Sequence, residues 1–282
     1  MEQVLSIRNL CKKYPDFRLQ DISFTVKKGS IMGLIGRNGA GKTTTLKAIM
    51  NLVHPDSGEI LFWGMEMREE REIRQGVGYA AGGVGYYHRK PIGEILRITK
   101  KFYPGWEDEA CIRYLNLFAL DPGKRLWELS EGMKVKFHLT LALSHHARLL
   151  ILDEPTSGLD PVSREELLEI FMDLADQGTS ILFSTHITSD LEKCADAVTY
   201  IQKGRVLASL ETGDFAERYR LAAVSGKLTR AQRESALGVR RSKAGQTALI
   251  LKGQEGPFRE EGVIISPADL ESIMAHLEEG RL

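Results

Sequence analysis

Cysteine is scarce here: three in 282 residues, Cys11, Cys111 and Cys194. They are far apart, odd in number and without CxxC spacing, which argues against a disulfide framework or a structural zinc site and fits a reducing cytosol. An excess of one charge is also missing. The 38 basic and 38 acidic side chains give a formal net charge of zero, so no global field recruits nucleic acid or an anionic membrane, and binding must come from local sites. No uncharged apolar run reaches the roughly 18 residues needed to cross a bilayer. The N-terminal MEQVLSIRNLCKKY lacks the apolar region of a signal peptide. The expectation is a soluble protein that meets a membrane only through a partner. Internal repeats and low-complexity tracts are absent as well.

What is present is an alternation of short elements. VLSIRNL, LQDISFTVKKG, IMGLIG and GEILFWG read as strands, each rich in branched apolar residues and bounded by glycine or charged turns. From Lys42 the pattern changes to helical spacing in TTTLKAIMNLV, closed by the breaker HPDSG. Strand signals then vanish, and three helical patterns follow: PIGEILRITKKFY, WEDEACIRYLNLFAL and GMKVKFHLTLALSHH. Strand and helix alternate again through LLILD, VSREELLEIFMDLADQ, TSILFST, DLEKCAD and AVTYIQKG, so the pattern is an α/β sheet protein with a helical insertion. Beyond about Arg220 the rhythm is lost. Residues 221–282 read as a small appended module ending in the helical pattern PADLESIMAHLEEG, with Ser266 as its cap and Pro267 in its first turn.

Chemistry is concentrated in GRNGAGKT, Gly36 to Thr43, which fits G-x-x-x-x-G-K-[ST] between an apolar strand and a helix. Glycines Gly36, Gly39 and Gly41 let main-chain amides approach phosphates, and the helix N-terminus adds a favourable dipole. Lys42 is placed to reach the β- and γ-phosphates, and Thr43 to offer its hydroxyl to Mg²⁺. The residues expected to hold the nucleotide are Gly36, Arg37, Asn38, Gly39, Ala40, Gly41, Lys42, Thr43 and Thr44. Such a loop needs a carboxylate for the metal, and LLILDE supplies Asp153 to orient Mg²⁺ and Glu154 to polarise an attacking water. Other polar residues carry less: His138, His145 and His146, placed on the helix after LSEGM, lack a third ligand type for a metal. Trp63, Trp106 and Trp127 read as core or rim anchors.

In order along the chain stand GRNGAGKT, LSEGM (Leu129–Met133), LLILDE, the SGLD run at Ser157–Asp160 and His186 in STH. Together they resemble the ATP-binding cassette family from Val4 to about Leu210. The resemblance implies a P-loop NTPase sheet core with an antiparallel β subdomain and a helical insertion at about 86–147, all within residues 1–220, followed by a small α+β appendage. It also implies an ATP-hydrolysing subunit that uses ATP and Mg²⁺. In this family two cassettes pair head to tail, each ATP lying between one chain's phosphate loop and the other's signature, which explains why one chain carries two phosphate-binding devices. By that resemblance Ser130 and Gly132 contact the partner's γ-phosphate, and Tyr14 matches the aromatic that stacks on adenine. His186 matches the residue that contacts the γ-phosphate and holds the attacking water. Asp160 matches the aspartate that crosses the dimer interface.

Two departures stand out. LSEGM puts Glu131 and Met133 where the common LSGGQ has glycine and glutamine; a carboxylate beside phosphate is unfavourable, so Glu131 is expected to face solvent. In VGYAAGGVGYY, Gly82 occupies the slot of a metal-contacting glutamine. The implied partner is a separate transmembrane permease whose cytosolic segments dock beside this loop and the helical insertion, with the cassette peripheral on the inner face of the cell membrane. Its own pairing is as a homodimer or with another cassette, and no nucleic acid is expected. The alternatives are a soluble cassette ATPase acting without a permease, or a regulatory cassette that binds ATP and barely hydrolyses it.

Overall fold

The computed structural model describes residues 2–66, 70–81, 89–242 and 245–279. They fall into two compact units: one comprises the residues up to His186 together with Thr199–Leu207, the other Ile187–Val198 and the residues from Ala208 on.

The elements of the first unit begin with β1 (Gln3–Lys13), β2 (Arg18–Lys27), β3 (Ile31–Ile35), α1 (Lys42–Ile49), β4 (Ser57–Phe62) and β5 (Met65–Glu66). Then come α2 (Glu70–Gly76), β6 (Val77–Ala81), α3 (Ile92–Thr99), α4 (Asp108–Leu117), α5 (Glu131–Leu143), β7 (Leu149–Asp153), α6 (Pro161–Asp176) and β8 (Ser180–Thr185). The chain continues through α7 (Thr188–Cys194), which belongs to the second unit, and then β9 (Ala197–Gln202) and β10 (Arg205–Glu211), whose residues 199–202 and 205–207 belong to the first. Two sheets result. One is antiparallel, in the order β2-β1-β4-β5. Buried and less buried residues alternate along β2, as expected of a strand with one wet face.

The other sheet has the order β10-β9-β3-β8-β7-β6, and its neighbours β3, β8, β7 and β6 run parallel. Every residue of IMGLI and SILFST is buried, as are Leu149–Leu152. Continuous apolar runs of this kind belong to parallel strands covered on both faces. Helix α6 is started by Asp160, whose carboxylate accepts from the amides of Val162 and Ser163, with Pro161 in its first turn; Gly178, at φ 94°, follows its end.

The insertion is helical as expected, with one correction. Helix α5 stops at Leu143, so His145 and His146 lie in the turn beyond it. His146 takes a left-handed φ of 59°, and His145 stacks on Tyr103 at 3.8 Å while its Nδ1 lies 3.0 Å from the Gln75 carbonyl.

In the second unit α8 (Thr212–Glu217), β11 (Tyr219–Val224), α9 (Arg230–Ser235), β12 (Gly238–Ser242), β13 (Gly245–Leu251), β14 (Val263–Pro267) and α10 (Leu270–Glu279) follow α7. Four strands form an antiparallel sheet in the order β12-β13-β11-β14, over a core of Ala222, Leu228, Ala248, Ile250 and Phe258. The expected cap of the last helix is wrong here. Ser266 and Pro267 belong to β14, opposite Leu221 and Arg220, because the branched run VII continues as an edge strand, where proline's missing amide is tolerated. Asp269 is the residue that caps α10, accepting from Ser272 N at 2.7 Å; Glu192 of α7 accepts from Leu270 N, also at 2.7 Å.

The tight turn between β9 and β10 braces the first unit. Lys203 and Gly204 are both left-handed, at φ 47° and 76°, as a two-residue hairpin turn requires. Gly204 N donates to the Ala40 carbonyl at 2.9 Å, and its carbonyl accepts from Gln20 N at 2.7 Å. A Cβ on Gly204 would strike the Arg18 carbonyl. Gly204→Ala is therefore expected to destabilise the fold by about 1–3 kcal/mol; thermal unfolding checks this, and an unchanged Tm would mean that the turn relaxes freely.

Candidate active site

Three strands adjacent in the parallel sheet end together: β3 leads into the glycine loop, β7 ends at Asp153, and His186 follows β8. The carboxyl edge of such a sheet is where ligands bind in open α/β folds. At its centre is Lys42, the first residue of α1 and only 5% exposed. Its ammonium donates to the carbonyls of Gly36 at 2.6 Å and Arg37 at 3.4 Å, and lies 3.1 Å from Glu154 Oε1. These partners satisfy a charge that would be costly to bury alone. The loop closes on itself through Ala40 N to the Arg37 carbonyl at 3.1 Å. Gly41 is fixed as glycine by its φ of 115° and by Leu19, whose Cδ2 would lie 2.6 Å from any Cβ. Arg37, Asn38, Gly39 and Thr43 are exposed, and Thr44 is half-buried.

The acids are held by hydroxyls. Asp153 Oδ1 accepts from Thr43 Oγ1 at 3.2 Å and from Ser184 Oγ at 2.5 Å. Glu154 N donates to Ser184 Oγ at 2.9 Å, and Glu154 itself has a left-handed φ of 52°, a strained setting for a residue with a Cβ. From there its carboxylate reaches Lys42 with one oxygen and His186 Nδ1, at 2.8 Å, with the other.

Thr43 and Asp153 offer hard oxygen donors side by side, the type a magnesium ion takes. Among the described residues no group of three or more His, Cys, Asp or Glu side chains could cage a metal alone. The pair therefore suits a cation that draws its remaining ligands from water and substrate phosphate.

A second group gathers at the start of α5. Ser130 is its N-cap, accepting from Met133 N at 3.2 Å. A Cβ at Gly132 would lie 3.5 Å from Leu159 and 3.8 Å from Ser163, which puts the Ser157–Asp160 loop against the signature. Asp160 accepts from Ser163 Oγ at 2.6 Å; that bond and the adjacent amides hold its carboxyl below the usual carboxylate range. Glu131 faces solvent as expected, 63% exposed, and pairs with Lys134 at 2.6 Å. Tyr14, 37% exposed, lines a hollow of about 560 Å³ with Phe17, Arg18, Lys203 and Gly39 of the phosphate loop. Gly82 lies outside the described residues. None of the three tryptophans is core: Trp127 is 57% exposed, and Trp63 lies under the Arg148 guanidinium at 4.1 Å.

Comparison with known proteins agrees with this geometry. The family model for ABC transporters matches residues 19–157. The ABC transporter ATP-binding protein YtrB of Bacillus subtilis is 32% identical over 202 residues, covering 71% of this chain and 69% of that protein. The bacitracin transport ATP-binding protein BcrA of Bacillus licheniformis is 33% identical over 225 residues, 78% of this chain and 74% of that one. Among solved structures, the ATP-binding subunit of an ABC transporter superposes with a TM-score of 0.68 at 32% identity, covering 75% of this chain and 91% of that one. The chain belongs to the ABC transporter family.

It is the family's ATP-binding cassette, an ATPase with the P-loop NTPase fold. In the cassette, Gly36, Lys42, Thr43, Asp153, Glu154 and His186 form one cluster, while Ser130, Gly132 and Asp160 form another whose hydrogen bonds are local. Sequence reasoning missed Ser184, the hydroxyl that joins both acids. No local signal marked it: Ser184 follows the apolar ILF of β8, and its value comes from the register that sets it opposite Asp153. Lys42→Ala is expected to weaken ATP binding by roughly 1.5–3 kcal/mol, the worth of a hydrogen bond to a charged group. Equilibrium binding of a fluorescent ATP analogue measures it, and unchanged affinity would contradict the placement of the nucleotide.

Proposed function

We propose that two copies of this cassette, or this one and a relative, close head to tail on ATP and drive a separate membrane permease. The observation that carries the reading is the pairing, in one chain, of a complete hydrolytic cluster with a serine-capped helix start of the kind that binds anions. In this arrangement the phosphate loop and Lys42 hold the β- and γ-phosphates, and Tyr14 carries the adenine. Magnesium, held by Thr43 and Asp153, would neutralise phosphate charge. Glu154 takes a proton from the attacking water, with His186 holding that water and the γ-phosphate. Ser130 and the Gly132 amide of the opposing copy complete the phosphate cage, and Asp160 links the two sites. A γ-phosphate in the loop competes with Glu154 for the Lys42 ammonium, which turns the carboxylate toward water when substrate binds.

The load attaches elsewhere. No helix among the described residues is long and apolar enough to cross a membrane; in this reading the permease is a separate chain and the cassette sits at the inner membrane face. A cavity of about 340 Å³ between α3, α5 and β6, lined by Ile95, Thr99, Phe102, Tyr103, His138 and Leu141, suits an apolar side chain from a permease helix. Burial pushes His138 in its wall down to about 4 and lowers His145 beside it. Phe102, 74% exposed, stands at its rim. Residues 221–282 we assign as an accessory module to this motor.

Glu154→Gln is expected to keep ATP binding, slow hydrolysis at least a hundredfold and accumulate an ATP-bound dimer visible by light scattering; a strictly monomeric variant contradicts the paired arrangement. Phe102→Ala is expected to leave the isolated cassette's hydrolysis unchanged and to reduce its co-purification with the permease. Undiminished capture would place the docking surface elsewhere.

A further inference from the structure

Ser184 is fully buried in the middle of the sheet, yet its hydroxyl spends its bonds on the two acids rather than on its own strand. We propose that Ser184 is a positioning residue of the ATPase reaction, fixing the peptide of Glu154 and with it the direction in which the Glu154 carboxylate is presented. This rests on Glu154 being the group that activates water.

The parallel register makes Ser184 the direct partner of Asp153. Side chains at paired positions of adjacent strands point to the same face, so the hydroxyl meets the carboxylate without bending either strand. A serine has one proton to donate and two lone pairs to accept with. The proton goes to Asp153 Oδ1 at 2.5 Å, since an ionised carboxylate only accepts. That choice leaves the lone pairs for Glu154 N, which donates to Oγ at 2.9 Å and to the Ser184 carbonyl at 3.1 Å. The amide of Glu154 is thus gripped twice by one residue. A left-handed backbone persists at a non-glycine residue only when its surroundings over-determine it. Here the grip on the amide is what holds φ at 52°, and that φ sends one carboxylate oxygen to Lys42 at 3.1 Å and the other to His186 at 2.8 Å. Thr43 donates to the same Asp153 oxygen at 3.2 Å, so Asp153 Oδ1 is the atom that joins the Ser184 hydroxyl to the phosphate loop. A serine serving only to fill the sheet would not need its oxygen, and this difference is measurable.

The test uses the full chain with Ser184→Ala, which deletes that oxygen alone. The expected result is a kcat lower by about tenfold, the scale of a lost hydrogen bond to a charged group, with KM for ATP and equilibrium affinity for a non-hydrolysable ATP analogue within about threefold of the parent. Ser184→Cys, which keeps a weaker donor at the same place, should fall between the two, and it carries the test if the alanine variant folds poorly. In a Glu154→Gln background, Ser184→Ala should add less than about a twofold further loss, because residues acting as a unit are not additive. An unchanged kcat, a loss confined to KM, or a full independent loss in the Glu154→Gln background each overturns the proposal. If Glu154→Gln alone hydrolyses like the parent, the role of Glu154 has failed; if it is impaired while Ser184→Ala is silent or additive, only the role of Ser184 has.

Discussion

A positive charge held out of water is the constraint on which this site depends. Lys42 is 5% exposed and cannot remain an ammonium there without compensation. Two carbonyls of its own loop meet part of that demand, and the Glu154 carboxylate meets the rest. To deliver that carboxylate, the chain must turn sharply after β7, and Glu154 adopts the left-handed backbone that makes the turn. The same carboxylate binds His186, so the loop after β3, the turn after β7 and the residue after β8 are locked by one acid. Strand order makes this possible, because β3, β8 and β7 are immediate neighbours in the parallel sheet.

That arrangement also explains why the support around the loop is stiff where the loop itself is permissive. The hairpin turn at Lys203 and Gly204 bonds to Ala40 and Gln20, and Leu19 fills the space beside Gly41. Gly36, Gly39 and Gly41 leave main-chain amides approachable, while these neighbours stop the loop from collapsing into some other shape. Permissive backbone is useful for phosphate only when something else determines its path.

Legibility followed the range of the interaction. The phosphate loop was readable because its geometry is set by residues a few positions apart, each type demanded by a distinct need: glycine for approach, lysine for charge, threonine for a hydroxyl. Asp153 and Glu154 were readable as an apolar run ending in acids. Ser184 was not, because its value comes from a strand register that pairs it with Asp153 across 31 positions of chain, and nothing local marks that pairing. The left-handed turn at Glu154 was hidden for the same reason. At the C-terminus the error was one of competition: Ser266 and Pro267 do look like a helix start, but a branched run beside an open sheet edge gains a ladder of hydrogen bonds to β11, and Asp269 was equally able to cap. His145 and His146 were misplaced by two and three residues, since a helical pattern does not say where the last turn unwinds.

The altered signature is the sharpest question for the reading proposed above, and electrostatics answers it. A carboxylate in the first turn of a helix is favourable to the helix and unfavourable to a phosphate docked on the same turn. The two demands conflict only if Glu131 points along the helix axis toward the phosphate. It points to solvent and is neutralised by Lys134 one turn on. Ser130 meanwhile spends its oxygen's acceptor capacity on Met133 N, the cap bond that fixes where the helix begins. Serine cap and glycine amide therefore retain the geometry that an anion needs, and the substitution at 131 changes the field around the site more than its shape. A field effect is screened by salt, whereas a lost donor is not, so under the head-to-tail arrangement proposed above the departure from LSGGQ tunes the affinity between paired cassettes rather than removing the second phosphate site.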